Sequence, residues 1–210
     1  DVVAMAAGQE LHPVDVVAGL GGLVGKSLLT AQVNGAGLRY RLLDSTRRYA
    51  TRRRHEAGLD PQARRSHARR ILALFEQSET EWGWRESGNW TGSYLGRLAD
   101  VQAALAWAFG DGGDAPLGVR LTVATLPLWF ETSLISETLT KVETALRFAE
   151  SFPCEELPKA KLALSRAWSM MYARRLVPET EEAWLSAVAF GRRAGSLDHE
   201  LRALVGLSVY

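Results

Sequence analysis

Cysteine is almost missing from this 210-residue sequence: Cys154 stands alone. A single thiol closes no intramolecular disulfide and builds no cysteine-rich metal site. Lysine is scarce as well, with 21 of the 25 basic residues being arginine. No uninterrupted apolar run approaches the roughly 20 residues that cross a bilayer. The chain is therefore expected to have no membrane partner and a cytoplasmic location. The opening Asp1-Val2-Val3-Ala4-Met5-Ala6-Ala7 is apolar but carries no basic stretch, which speaks against a signal peptide. The four histidines, at 12, 55, 67 and 199, lack the spacing of a metal site. No Ser/His/Asp arrangement or G-x-S-x-G stands out, so no catalytic residues are expected.

What is present is an ordinary globular composition, 47% hydrophobic and 23% charged. That suffices for a sizeable core in one or two domains. The charge is unevenly spread. Residues 1–70 hold twelve basic and six acidic side chains, a net of +6, and residues 71–210 sum to −5. A basic front and an acidic rear imply surfaces with different partners.

Val16, Val17, Leu20, Leu23 and Val24 recur at helical spacing after Pro13 and Asp15. Leu28–Val33 and Leu38–Leu43 then flank Asn34-Gly35 and predict a β-hairpin. Leu38, Tyr40 and Leu42 share one face of the second strand, Arg39 and Arg41 the other. From Ser45 to Ala57 the period becomes helical, with Asp44 or Ser45 as cap and Gly58 as terminator. Asp60-Pro61 opens another helix, with Asp60 expected as its cap and Pro61 in its first position. Residues 83–93, rich in Gly, Ser, Asn and Trp, predict a loop; Trp82, Trp84 and Trp90 in or beside it are a candidate binding surface.

Leu95 to Phe109 gives the strongest helical pattern, and Leu117 to Phe130 predicts a helix bent at Pro127. Leu139, Val142, Leu146 and Ala149 mark its partner. Three more helices are expected over about 158–172, 179–194 and 198–210. Starts near 116, 158 and 198 are spaced by 42 and 40 residues, a paired-helix period. It is longer than the roughly 34 of a tetratricopeptide repeat. Val205, Leu207, Val209 and Tyr210 are expected to face a further repeat.

Gly19-Leu20-Gly21-Gly22-Leu23-Val24-Gly25-Lys26-Ser27 looks like a phosphate-binding loop. That motif reads G-x-x-x-x-G-K-[ST], and Leu20 stands where its first glycine belongs. It should also follow a strand and open a helix, whereas here it closes an apolar helix and leads into a strand. A helix end before a wing hairpin is the better reading.

Arg39, Arg41, Arg47, Arg48, Arg52, Arg53 and Arg54 form the strongest charge feature. Guanidinium groups make bidentate phosphate contacts, and a wing can touch duplex backbone. The segment before the wing carries only Lys26, a poor base reader. These arginines are therefore candidates for contact with either DNA or a neighbouring domain.

Two stretches carry a family resemblance. They are Val16-Val17…Leu20…Leu23-Val24-Gly25-Lys26-Ser27-Leu28-Leu29 and Arg39-Tyr40-Arg41-Leu42-Leu43-Asp44-Ser45-Thr46-Arg47-Arg48-Tyr49-Ala50. With Arg64-Arg65-Ser66-His67-Ala68 and Leu95–Ala108, they resemble bacterial signal-transduction ATPase-type transcriptional regulators related to AfsR and MalT. Gly25 departs from the family's usual Asp, and Asp44-Ser45 from its Glu-Thr.

The resemblance implies a winged-helix-like domain over 1–58, preceded by missing sequence. A tetratricopeptide-like helical array would follow over 59–210 and continue beyond it. The fold class is thus mainly α with one hairpin. ATP or ADP and Mg would belong to an upstream nucleotide-binding domain, leaving no cofactor in this chain. Expected partners are that domain, a protein or small-molecule effector on the array, and DNA through the full-length protein.

Overall fold

A computed structural model describes residues 12–34, 37–82, 94–174 and 177–210. Ten helices and one antiparallel hairpin lie within these residues, and the chain is mainly helical. They divide into two compact units, Asp1–Arg70 and Ile71–Tyr210.

The first unit opens with α1 (Pro13–Gly25). Pro13 lies in the first turn, where its missing N–H costs nothing. The helix ends when the Leu28 N–H donates to the Leu23 carbonyl and the Ser27 N–H to that of Val24. This six-to-one closure places Ser27 in the left-handed region at φ 56°. Strands β1 (Leu29–Asn34) and β2 (Gly37–Leu42) follow, paired from Leu29↔Leu42 to Asn34↔Gly37. The hairpin forms as its alternation requires. The turn at 35–36 lies outside the described residues.

Helix α2 (Asp44–Glu56) and helix α3 (Asp60–Trp82) complete the basic stretch. The Arg47 N–H donates to the Leu43 carbonyl, and the Ala63 N–H to that of Leu59. Leu43 and Leu59 therefore hold the cap positions expected of Asp44 and Asp60. Each aspartate is instead the first helical residue, where its charge faces the positive helix end. A side chain can cap only from the extended residue before the helix, and Leu43, at φ −63° and ψ 150°, is that residue. Gly58 ends α2 as its sequence suggests, at φ 67°, with the Leu59 N–H on Arg54 and its own N–H on His55.

In the second unit a short 3₁₀ turn, Leu95–Arg97, leads into α4 (Leu98–Ala108), which buries Val101, Ala104, Leu105 and Ala108. Asp114 caps α5 (Ala115–Ala124) by accepting from the Leu117 N–H at 3.1 Å. The bend expected at Pro127 is a break at Thr125, and α6 (Leu126–Glu131) begins beyond it. The Thr125 hydroxyl donates to the Leu121 carbonyl at 2.8 Å and accepts from the buried Trp129 indole at 3.1 Å.

Helices α7 (Ile135–Ala149), α8 (Glu156–Arg174), α9 (Pro178–Arg193) and α10 (Leu197–Val209) build the rest. Each packs on the one before it. Val119, Val142, Ala145, Ala149 and Leu162 form one core cluster. Ala163, Leu164, Ala167, Ala183, Trp184, Ala187 and Ala203 belong to a second. The Arg193 guanidinium meets the Glu156 carboxylate at 3.0 Å, so the end of α9 lies beside the start of α8. Tyr210 Oη donates to the Val177 carbonyl at 2.9 Å, so α10 returns along α9. Leu207 and Tyr210 thus face inward onto this core, contrary to their expected outward aspect.

Candidate functional site

The Gly-rich segment is helix, and Lys26 and Ser27 form its carboxyl-terminal closure. A phosphate cradle needs free N–H groups at the amino end of a helix. Here the N–H groups of Lys26 and Ser27 are already donated to Gly22 and Val24.

Among the arginines, helical spacing decides which ones meet. Arg47, Thr51 and His55 fall one turn apart on α2, with Arg48 and Arg52 on the adjoining row. The turn at Gly58 brings α3 alongside, and Arg64 joins them around an open, shallow concavity with Asp60 at its edge. Among the described residues no carboxylate pairs with Arg47 or Arg48. Arg52 donates to Glu56 at 2.7 Å, and Arg53 to the same carboxylate at 3.2 Å.

Arg54 is turned to Asp60, which also lies 3.5 Å from His55 and 3.9 Å from Arg64. The Arg54 hydrogen bond holds the Asp60 carboxyl below its ordinary pKa, opposed by burial and aided by the charges of Arg54, Arg64 and His55. Arg54 therefore serves the helix junction, Arg53 pairs within α2 and stands outside the concavity, and Arg47, Arg48, Arg52 and Arg64 form the basic surface. Arg41 is exposed on β2, with its carbonyl accepting from the Thr30 hydroxyl at 3.1 Å. The side chains of Arg39 and Trp82 lie outside the described structure, as do residues Trp84 and Trp90.

Arg64 was outside the set of seven candidates. Its distance along the chain hides it, because only the Gly58 turn returns it to α2. The i, i+4 repeat of residues 47, 51 and 55 was the usable signal for the rest.

A second feature lies in the helical unit. Val119, Val123 and Ala124 of α5, with Phe152, Pro153 and Cys154, line a mostly apolar concavity of about 740 Å³. That is within the usual range for small-molecule sites. An Arg120–Glu76 pair at 2.6 Å stands at its rim. Burial raises the Cys154 thiol above its ordinary pKa, which keeps it protonated and unreactive.

No protein-family model matches the chain, and no solved structure matches it. Over 213 aligned residues it is 27% identical to proteins of Mycobacterium bovis and of two strains of Mycobacterium tuberculosis. Each of these is named "Putative HTH-type transcriptional regulator". The alignment covers 97% of this chain but only 23% of each relative. No helix among the described residues is long and apolar enough to cross a membrane.

Proposed function

We propose that the chain is a regulatory and protein-interaction region of a bacterial transcriptional regulator, cytoplasmic and without catalysis of its own. The observation that carries this is the likeness to HTH-type regulators along 97% of the chain. In this reading the α1–β1–β2–α2 unit is a winged-helix-like relay. It meets an upstream nucleotide-binding core of the AfsR/MalT type, which holds the ATP or ADP and Mg. The helical unit is a tetratricopeptide-like sensor, and the concavity beside Phe152 is a fitting effector site. Arg47, Arg48, Arg52 and Arg64 are then a contact surface for the neighbouring domain.

A second reading rests on a specific observation: Arg47 and Arg48 are exposed and have no carboxylate partner among the described residues. Four guanidinium groups on one open face could instead hold duplex phosphates directly.

Titration of a labelled random duplex with this chain across a salt series separates the two. Phosphate contacts predict a fall of about tenfold or more between roughly 50 and 200 mM salt. If such binding is seen and is lost in Arg47→Glu/Arg48→Glu/Arg52→Glu, the second reading replaces the first. The first predicts no binding at low salt. Its relay is tested in a longer protein carrying the nucleotide core: ATP affinity should change when residues 60–210 are removed, and identical affinities would contradict it.

A further inference from the structure

Positive charge gathers on α2 beyond what the nearby carboxylates balance. Arg48 and Arg52 stand one turn apart, an arrangement in which like charges repel and weaken a helix. Glu56 is engaged by Arg52 and Arg53, and Asp60 by Arg54. Asp44 precedes Arg48 by one turn, yet among the described residues it pairs with neither Arg47 nor Arg48. The α3 side adds Arg64, whose nearest carboxylate is Asp60 at 3.9 Å.

The hollow that these arginines line measures about 550 Å³. Every described residue lining it is polar, with no aliphatic side chain and no Phe, Tyr or Trp ring among them. Nothing there stacks a base or seats an acyl chain. Four guanidinium groups face the single carboxylate of Asp60, so the charge calls for an anion bearing more than one negative charge. Guanidinium forks match phosphoryl oxygens in bidentate geometry, and Thr51 adds a hydroxyl to the same wall. A duplex backbone needs cations spread along a path. Here they gather around one hollow, with the Asp60 carboxylate at its edge repelling any further phosphate.

We infer that the hollow between α2 and α3 is a binding site for a compact phosphorylated small molecule, its phosphoryl oxygens held by Arg47, Arg48, Arg52 and Arg64. The site goes beyond the regulatory reading above. A ligand there neutralises the face which that reading gives to a neighbouring domain. Its binding is measured without ATP and without the upstream core, so its failure and the failure of that reading are separate results.

The test is isothermal titration of the full 210-residue chain with inorganic pyrophosphate at low salt. Saturable binding below about 1 mM is expected. Arg47→Gln/Arg64→Gln should weaken it about tenfold or more. Arg41→Gln/Arg53→Gln removes the same charge from outside the hollow and should change affinity by less than about twofold. All four side chains are exposed, and thermal melts establish intact folding. Arg47→Lys/Arg64→Lys keeps both charges and removes the planar forks, and a loss of severalfold is still expected. Absence of saturable binding overturns the proposal. Equal losses in the two Gln variants also overturn it, because diffuse attraction to a basic unit then accounts for the binding. A labelled duplex that binds while pyrophosphate neither binds nor competes overturns it as well, and gives these arginines to a nucleic-acid backbone.

Discussion

Helix α2 has 13 residues and buries none of them, whereas α9 has 16 and buries six. Their units differ in the same way. In the first, Leu29 and Ala68 are the buried hydrophobic residues among those described. In the second, Trp129, Trp184, Leu121, Leu128 and Leu162 are all fully buried. Helices in proteins draw most of their stability from packing an apolar face. The front instead relies on closures of its helix ends and on ion pairs such as Arg54–Asp60, each worth little at a surface. A stretch organised in this way is suited to being a contact surface, and the rear is suited to being a scaffold.

Core truncation should show the widest gap between the two. Trp129→Ala removes the largest buried side chain of α6 and the bond to Thr125, and should cost about 3–5 kcal/mol in denaturant unfolding of the rear. Leu29→Ala should cost about 2 kcal/mol, the low end for its class, because the front holds little other buried apolar surface. Its effect should be confined to NMR signals of the front. A loss at Leu29 as large as that at Trp129 would erase the distinction.

Acid sharpens it from the other side. The Asp60 pKa is lowered in the folded state, so its contribution is complete above the unfolded value, about 3.9. It is lost as pH falls through the lower folded value. NMR of the α2–α3 junction should therefore change below about pH 4, and Asp60→Asn should remove that step while leaving α8 and α9 signals alone. Ser27→Gly should be the next smallest change. It relieves the left-handed backbone at φ 56° and should stabilise the front by about 0.5–1 kcal/mol, offset by added freedom when unfolded. Arg52→Ala should shift stability by less than about 0.5 kcal/mol, since its pair with Glu56 is exposed.

Periodicity and punctuation made much of the fold legible. Alternation at Leu38, Tyr40 and Leu42 signals β2, and Gly58 marks the end of α2 because only glycine takes φ 67° there without strain. The repeat of helix starts was visible to within a residue or two. Capping was misread because composition favours Asp44 and Asp60, while the residue before each helix is a leucine. The outward face of α10 was half misread: Val205 and Val209 are exposed, but Leu207 and Tyr210 turn inward. Leu207 and Tyr210 are as apolar as Leu201 and Val205, and only the position of Trp184 against Gly206 tells the two rows apart. The basic site was half legible: Arg47, Arg48 and Arg52 follow from helical spacing, but setting Arg54 apart and adding Arg64 required the Gly58 turn and Asp60.

Amide hydrogen exchange on the whole chain reads the two regions against each other in a single experiment. Backbone amides of α2 should exchange at least about a hundredfold faster than those of α7, α8 and α9, because local opening is cheap where little apolar surface is buried. Protection in α2 equal to that in α9 would contradict an open, charge-organised front joined to a packed helical scaffold.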